Sequence, residues 1–381
     1  MSILIGADLV PTQSNIDLFE AGDLESLIGS DLVKCLNNAD YRIFNIEAPI
    51  TDTIEPIPKC GPNLRIPSAC IKGLSVMKID LVTLANNHIL DQGETGLTDT
   101  YKYLDEAGIS YTGIGVDINA ARKPFVFSHN GKRIGVYACA EHEFSIATEN
   151  SAGANPFDPL ESPDDVYRLK QECDYVIVLY HGGKEFYRYP SPQLQKTCRK
   201  LIEKGADLVV CQHSHCIGCE EKYYNGTIVY GQGNFVFDRS SDEYWNTGLL
   251  IKIDDQYKVT YIPVVKHGAT IKKASEEETK QLIEAFRDRS REILTDGFIT
   301  DSYSAFARDN LIHYLRACYP EKKSLLNKAM RKLLGEKYYL NVMEKRFSTI
   351  RLLKLYNCID CEAHKELFTK GLQEKLKDRK A

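Results

Sequence analysis

Short runs of β-branched and apolar residues recur through the first 215 residues, and helix-like segments separate most of them. The runs are ILIGAD (3–8), YRIFNIE (41–47), DLVTLANNH (80–88), DYVIVLYH (174–181) and DLVVCQHSH (207–215). Intervening segments such as TGLTDTYKYLDEAG and SPQLQKTCRKLIEKG carry apolar residues at helical spacing and end on a glycine suited to a C-cap. This alternation predicts an α/β fold in which helices cover sheets of largely parallel strands.

Turn signals between other apolar runs predict antiparallel hairpins added to this core. Asn130-Gly131 and Asn225-Gly226 each stand between two strand-like runs, and a third pair of runs meets at Asp254-Asp255. A parallel core extended by hairpins favours two facing sheets over one flat, doubly wound sheet.

The last third of the chain differs in pattern and in charge. Helical periodicity is nearly continuous from about residue 276, and residues 320–381 contain 16 Lys/Arg against 8 Asp/Glu. That segment carries +8, so residues 1–319 carry −13 of the total of −5. A basic tail of this kind could bind an anionic surface or polymer, or dock on its own body. An apolar stripe opposite the lysines favours docking; it comprises Leu367, Phe368, Leu372 and Leu376.

Composition and cysteine usage indicate a globular protein with reduced thiols. The 381 residues are 43% hydrophobic and 27% charged, and several of the 12 cysteines lie inside apolar runs. The pairs Cys216/Cys219 and Cys358/Cys361 leave a four-sulfur zinc site open, although they stand far apart in sequence. No apolar run approaches the roughly 18 to 20 residues of a spanning helix, and the start MSILIGADLV lacks a basic leader. We therefore expect a cytoplasmic protein.

Five apolar runs end in side chains that ligate metals. In chain order these are Asp8; Asn45 with Glu47; Asn87 with His88 and Asp91; His181; and His213 with His215. In α/β folds, ligands gather at the carboxyl ends of the strands, so we expect these side chains to converge on one crevice. Each has a structural explanation when taken alone, such as a turn cap or an ion pair. Their joint occurrence favours a functional site.

The types of ligand restrict the metal. Imidazole, carboxylate and amide oxygen without a required thiolate suit Zn, Mn or Fe. His213 and His215 would face one side of an extended or loop segment, because alternate residues there share a face. Two divalent ions about 3.5 to 4 Å apart are a common device for displacement at phosphorus, and we expect two here.

Four blocks of sequence resemble, in order, the bacterial capsule-synthesis CapA (PGA-cap) family. They are NIEAPIT (45–51), ANNHILDQG (85–93), HGGKEFYRYPSPQLQKTCRKLIEKGADLVVCQHSHCI (181–217) and YGQGNFVFD (230–238). That family is similar in fold to the calcineurin-like metallophosphoesterases. The resemblance therefore implies a four-layer αββα sandwich with two facing sheets over residues 1–268, and it leaves 269–381 as a basic helical extension.

The resemblance also implies roles for individual residues. Asp8 and His215 would serve one metal, and Glu47 would bridge to a second. The second metal would be served by Asn87, His181 and His213. His88 would contact the substrate and protonate the leaving group, and Asp91 would orient it. Substrate contacts are expected from Asn45, Arg65, Glu185 and Asn234, although Arg65 and Glu185 have ordinary surface roles as alternatives.

Two departures from the wider superfamily bear on the first metal. Its Asp-x-His is Asp8-Leu9-Val10 here, so one histidine ligand is absent, and Glu47 replaces the bridging aspartate. These changes leave open a single-metal centre.

Three functions follow as hypotheses. The first is a metal-dependent hydrolase that cleaves a phosphate ester or related linkage of an anionic phosphorylated or polymeric substrate, in a capsule, polyglutamate or sugar-polymer pathway. The second is an accessory protein that binds an anionic polymer for poly-γ-glutamate capsule synthesis without cleaving it. The third is hydrolysis of γ-glutamyl amides by the same centre. Nucleic acid is not expected as a partner, because the body is acidic and lacks nucleic-acid-binding signatures. The oligomeric state stays open.

Overall fold

The computed structural model describes residues 2–238, 242–318, 332–333, 335 and 347–378. Its strands are β1 Ile3–Val10, β2 Tyr41–Ile46, β3 Leu81–Thr83, β4 Ser110–Thr112, β5 Ile114–Gly115, β6 Phe125–His129, β7 Lys132–Ala140, β8 Gly153–Ala154, β9 Tyr175–His181, β10 Leu208–Gln212, β11 Ile217–Tyr223, β12 Gly226–Gln232, β13 Asn234–Phe237, β14 Thr247–Ile253, β15 Val259–His267 and β16 Thr270–Lys273. Its α-helices are α1 Ile16–Ala21, α2 Leu24–Asn37, α3 Ile71–Val76, α4 Gly93–Ala107, α5 Ile118–Ala121, α6 Ser162–Glu172, α7 Pro192–Glu203, α8 Glu276–Glu292, α9 Phe298–Ala317, α10 Thr349–Asp360 and α11 Glu362–Asp378. Single 3₁₀ turns span Ser68–Cys70 and Glu243–Asn246.

Two large sheets organise the first part of the chain. The first has the order β16-β15-β14-β1-β2-β3-β4, and β13 also pairs with β1. Strands β1 to β4 run parallel, whereas β14 to β16 form antiparallel pairs. The second has the order β11-β12-β10-β9-β7-β6, with four parallel central strands and antiparallel strands at both edges. The predicted addition of hairpins to a parallel core is confirmed.

The central parallel strands such as β1, β9 and β10 are buried on both faces, which explains why they are apolar nearly throughout. Ile3 and Ile5 of β1 share a cluster with Ile177 of β9, so this core lies between the sheets. The alternate residue Leu4 packs in a second cluster with helical residues such as Leu32 of α2. The outer face of the second sheet packs on residues from α6 and α7 in the same way. The predicted four-layer αββα sandwich is confirmed.

Local signals explain where several elements begin and end. Ser191 accepts a hydrogen bond from Leu194 N at the start of α7, and Gly108 adopts φ 68° just after α4. Asn130 and Gly131 both have positive φ in the β6–β7 turn, as predicted. The predicted second turn is wrong by one residue. Tyr223 pairs with Gly226, so the β11–β12 turn consists of Tyr224 and Asn225.

The chain divides into two compact units, Met1–Tyr303 and Ser304–Ala381. Helix α8 belongs to the first unit, because Phe286 is buried with its ring 4.9 Å from that of Tyr261. A domain boundary after residue 268 stays a prediction.

In the second unit, the stripe predicted to dock is exposed; its members are Leu367, Phe368, Leu372 and Leu376. Within the basic segment 320–381, residues 320–331, 334, 336–346 and 379–381 lie outside the described residues. None of the described helices has the length and apolar character that crossing a membrane requires.

Candidate functional site

The strand ends of the two sheets bring the predicted metal ligands together. Asp8 lies near the end of β1, Glu47 directly follows β2, and His181 ends β9. Asn87 comes four residues after β3, and His213 and His215 follow β10. We call these six residues the ligand cluster. Each is at most 8% exposed.

Two groups of ligand atoms within the cluster share a carboxylate. The candidate donor atoms of Asp8, Glu47 and His215 lie within 4.8 Å of one another, and so do those of Glu47, His181 and His213. Glu47 therefore belongs to both groups, and the bridging role that the family resemblance implies for it stays a prediction. Asn87 adjoins the second group, with its Oδ1 3.1 Å from His181 Nε2.

The residues present fit a divalent metal. Glu47 Oε1 and Asn87 Oδ1 both lie close to His181 Nε2, at 3.3 and 3.1 Å, and ligands of one ion are typically about 3 to 3.5 Å apart. Two buried donors or acceptors, His213 Nδ1 and Asn234 Nδ2, have no hydrogen-bond partner among the described residues. The set of carboxylates, imidazoles and an amide oxygen suits Zn, Mn or Fe, as expected from the sequence.

The electrostatics of the cluster also favour a cation. Burial, followed by repulsion from Glu47, raises the pKa of Asp8 to about 7. Burial lowers the pKa of His181, and burial with the neighbouring His181 lowers that of His213 well below its usual value. Imidazoles that stay neutral cannot balance two buried carboxylates, so the cluster has a deficit of positive charge that a divalent ion would supply.

Polar neighbours orient the ligands. Asn45 Nδ2 donates to Asp8 Oδ1 at 2.7 Å, and His215 Nδ1 lies 2.9 Å from Asn234 Oδ1. Glu143 Oε2 accepts from Asn87 Nδ2 at 2.9 Å, which leaves Asn87 Oδ1 directed at His181. The structure thus places Asn45 and Asn234 against metal-ligand side chains, and their substrate contacts stay predictions. Glu143 was missed because it lies in a polar loop without strand-end position or motif.

The backbone of the His-Ser-His segment has an unusual conformation at both histidines. His213 has φ 79° and His215 has φ 54°, so the segment is left-handed at both residues and not extended. Such conformations are strained for residues other than glycine and persist where the surroundings hold them. Here His213 N donates to Asp8 Oδ2 at 3.2 Å. Of the extended or loop segment that the sequence left open, the structure shows the loop, and both residues lie in the cluster.

A second polar cluster lies beside the first and consists of Lys59, His88 and Asp91; we call it the His88 cluster. His88 Nδ1 is 2.5 Å from Asp91 Oδ2, so the predicted pair is in contact. Lys59 Nζ pairs with Asp91 Oδ1, and the lysine side chain is only 2% exposed. Sequence reasoning missed Lys59, because it lies in the Pro-rich loop 48–67 where nothing marks it as buried.

A cleft of about 470 Å³ opens beside both clusters. Its lining includes Lys59, Asn87, His88, Glu185 and His215. Glu185 also forms a group of possible ligands with His213 and His215. Arg65 is not brought to this cleft lining, since its Nη1 donates to Thr51 O at 3.1 Å and lies 3.9 Å from Asp52.

Comparisons with known proteins agree with the sequence blocks. The family model described as bacterial capsule synthesis protein PGA_cap matches residues 4–239. The chain is 29% identical over 213 residues to the capsule biosynthesis protein CapA of Bacillus anthracis, covering 54% of this chain and 52% of that protein. It is 27% identical over 252 residues to the PGA biosynthesis protein CapA of Bacillus subtilis, covering 64% and 66%. The matches thus span less than two thirds of each relative's length. Among solved structures, a phosphatase from Mycoplasma pneumoniae has a TM-score of 0.44 and 14% identity, covering 74% of this chain and 96% of that one.

Proposed function

The chain belongs to the bacterial capsule synthesis protein PGA_cap family, and on that premise we propose that it is a metal-dependent hydrolase. It would cleave a phosphate ester or a related linkage of an anionic substrate, in capsule or polyglutamate metabolism. The observation that carries the proposal is the joint presence of the ligand cluster and the His88 cluster beside one cleft. A site that only bound an anion would not need a hydrogen-bonded histidine directed at the same cleft.

The ligand cluster would hold one or two divalent ions. Asp8 and His215 would serve one of them, the second would be served by Asn87, His181 and His213, and Glu47 would be shared. Bound there, such ions would supply Lewis-acid polarisation and lower the pKa of a water. Asn45 would hold Asp8 in its ligating orientation, and Glu143 would do the same for Asn87.

His88 would act as the general acid. A carboxylate oxygen can only accept a hydrogen bond, so Asp91 Oδ2 holds a proton on His88 Nδ1. His88 Nε2 is then the nitrogen that can serve the cleft, which His88 lines, and in the imidazolium form it carries the second proton that the reaction would transfer. Proton donation from this position to a departing oxygen would raise turnover about 10²- to 10⁴-fold.

A second candidate is an accessory protein that binds an anionic polymer without cleaving it. The names of the matched relatives favour it, since they refer to biosynthesis of capsule and PGA and not to hydrolysis. This role needs the positive charge of bound ions but no general acid. The two functions therefore differ in what they require of His88.

The test combines metal content with turnover. Purified protein loaded with Mn or Zn is assayed on a generic phosphodiester and a phosphomonoester, together with His88→Ala, His213→Ala and the control His267→Ala at an exposed position. The hydrolase predicts bound metal, turnover that both site variants lose, and a control like the wild type. Metal without turnover of either ester would favour the accessory role, and absence of bound metal would overturn both.

A further inference from the structure

Lys59 is a buried cation that the proposed reaction does not use. Its side chain is 2% exposed, although the next residue, Cys60, is exposed. A charged side chain is seldom buried to this degree unless it is paired, because losing water disfavours the charged form. The position of Lys59 therefore calls for a partner of opposite charge.

That partner is Asp91, and the contacts indicate which atom donates and which atom accepts in each hydrogen bond. Asp91 Oδ2 accepts a hydrogen bond from His88 Nδ1, which keeps its proton, as described above. A protonated Nδ1 cannot accept, so the hydrogens of Lys59 Nζ go to Asp91 Oδ1 and to Asn87 O at 3.3 Å, although Nζ lies 3.1 Å from His88 Nδ1. Lys59 thus holds one carboxylate oxygen while His88 is held by the other.

Asp91 also forms hydrogen bonds with the backbone of the loop that carries Lys59. Leu64 N donates to Asp91 Oδ2 at 2.6 Å, and Ile57 N donates to Asp91 O at 3.1 Å. The adjacent Gln92 adds two more bonds, accepting from Glu55 N at 2.9 Å and donating to Leu64 O at 3.1 Å. The loop tip, residues 60–62, lines the cleft. One carboxylate therefore connects the cleft wall to the histidine.

We propose that Lys59 is a positioning residue that fixes the Asp91 carboxylate, and through it the His88 imidazole and the loop wall of the cleft. Without the lysine, the Asp91 carboxylate can rotate, and its hydrogen bond to His88 Nδ1 weakens. The catalytic consequence rests on the proposed function, but the positioning itself does not. Lys59 acts through Asp91 and need not touch the substrate.

The first measurement is NMR of the full chain labelled with ¹⁵N-histidine. A short N–H···O bond to a carboxylate gives a strongly downfield proton, which Asp91→Asn and His88→Ala identify by removing it. We expect this signal in the wild type and in Lys72→Met, an exposed lysine on α3. It should move upfield or disappear in Lys59→Met. A signal unchanged in Lys59→Met would overturn the proposal. Should Lys59→Met fail to fold, Lys59→Gln gives the same comparison.

The second measurement is turnover in a double-mutant cycle. Lys59→Met should lower kcat about 10- to 100-fold with KM and metal content near wild type, because a misplaced acid affects the chemical step. In the His88→Ala background, the same change should have little further effect. Equal losses in both backgrounds would overturn action through His88. If the wild type cleaves no ester, the proposed function fails and the NMR result alone decides the role of Lys59.

Discussion

The ligand cluster and the His88 cluster are both buried, but they balance charge in different ways. In the His88 cluster, the chain supplies a lysine for its carboxylate, and a backbone N–H from Leu64 adds a further donor. In the ligand cluster, Asp8 and Glu47 face imidazoles whose basicity burial weakens, and the pKa of Asp8 rises to about 7. The first arrangement is complete within the chain, whereas the proposed function completes the second with a bound cation. Changes of conditions should therefore affect the two clusters differently.

Removing the metal should produce the largest effect. We expect a chelator to lower turnover by roughly 10³-fold or more, because polarisation by a metal is worth several kcal/mol at the transition state. His213→Ala should lose both metal and turnover, and His267→Ala should lose neither. Metal content by elemental analysis and turnover after metal is returned check this, and full metal binding by His213→Ala would contradict it.

Replacing the general acid should separate the clusters. We expect His88→Ala to lower kcat about 10²- to 10⁴-fold while the metal content stays at the wild-type level. The reason is that His88 contacts Asp91 and Lys59, not the shared ligand groups around Glu47. Parallel turnover and metal assays measure this. Loss of metal in the variant would show that the two clusters are not independent.

The pH dependence of stability should expose the uncompensated carboxylate. Asp8 has a folded pKa raised from 3.8 to about 7, so the metal-free folded state keeps a proton that the unfolded state has released. The contribution of Asp8 to stability should therefore fall by a few kcal/mol as the pH rises from about 4 to 7, whereas the lowered pKa values of His181 and His213 act in the opposite direction over part of that range. Chemical unfolding with a chelator at pH 5 and pH 8 checks this.

Asp8→Asn removes this contribution, so its stability relative to the wild type should increase from pH 5 to pH 8, whereas Asp31→Asn at an exposed helix position should keep a constant difference from the wild type. Metal should restore stability more at pH 8 than at pH 5, because ligation requires the deprotonated carboxylate. A difference in stability between Asp8→Asn and the wild type that is the same at pH 5 and pH 8 would contradict this account.

The smallest expected effect concerns the support of Asn87. Glu143→Gln weakens the acceptor of Asn87 Nδ2, and we expect metal affinity to fall about tenfold. The downfield proton of the His88 cluster should not change, since Glu143 bonds Asn87 of the ligand cluster and not His88 or Asp91. Calorimetric metal titration compares this variant with Glu149→Gln, an exposed glutamate in the same loop. Equal metal affinities in both variants would show that Glu143 does not support metal binding by Asn87.

Much of the fold and ligand set could be predicted because both depend on local pattern. Apolar strands separated by helical periods indicate two covered sheets, and polar residues at strand ends indicate where ligands meet. The sequence left the backbone of residues 213–215 open between an extended segment and a loop, because no local rule anticipates positive φ at two histidines. Gly233 before Asn234 is a related case. Its φ is 77°, and a Cβ there would lie 2.5 Å from Thr247 O.

The residues that were missed or misplaced lie in long loops. Lys59 and Glu143 belong to segments whose composition suggests solvent, yet Lys59 is buried and Glu143 bonds a proposed ligand. Arg65, which lies in the same loop as Lys59, was expected to contact the substrate. Its guanidinium instead donates to Thr51 O and lies near Asp52. A loop of this kind takes its path from distant contacts, and periodicity carries no information about them.

The sequence by itself determined the four-layer architecture and the six candidate ligands at strand ends, because strand direction and side-chain type are local properties. Tertiary structure alone decided which charges meet. It placed Lys59 against Asp91 and left Asp8 beside Glu47 with imidazoles of lowered basicity. Burial and Coulomb energies depend on distances between residues far apart in the chain, and folding sets those distances.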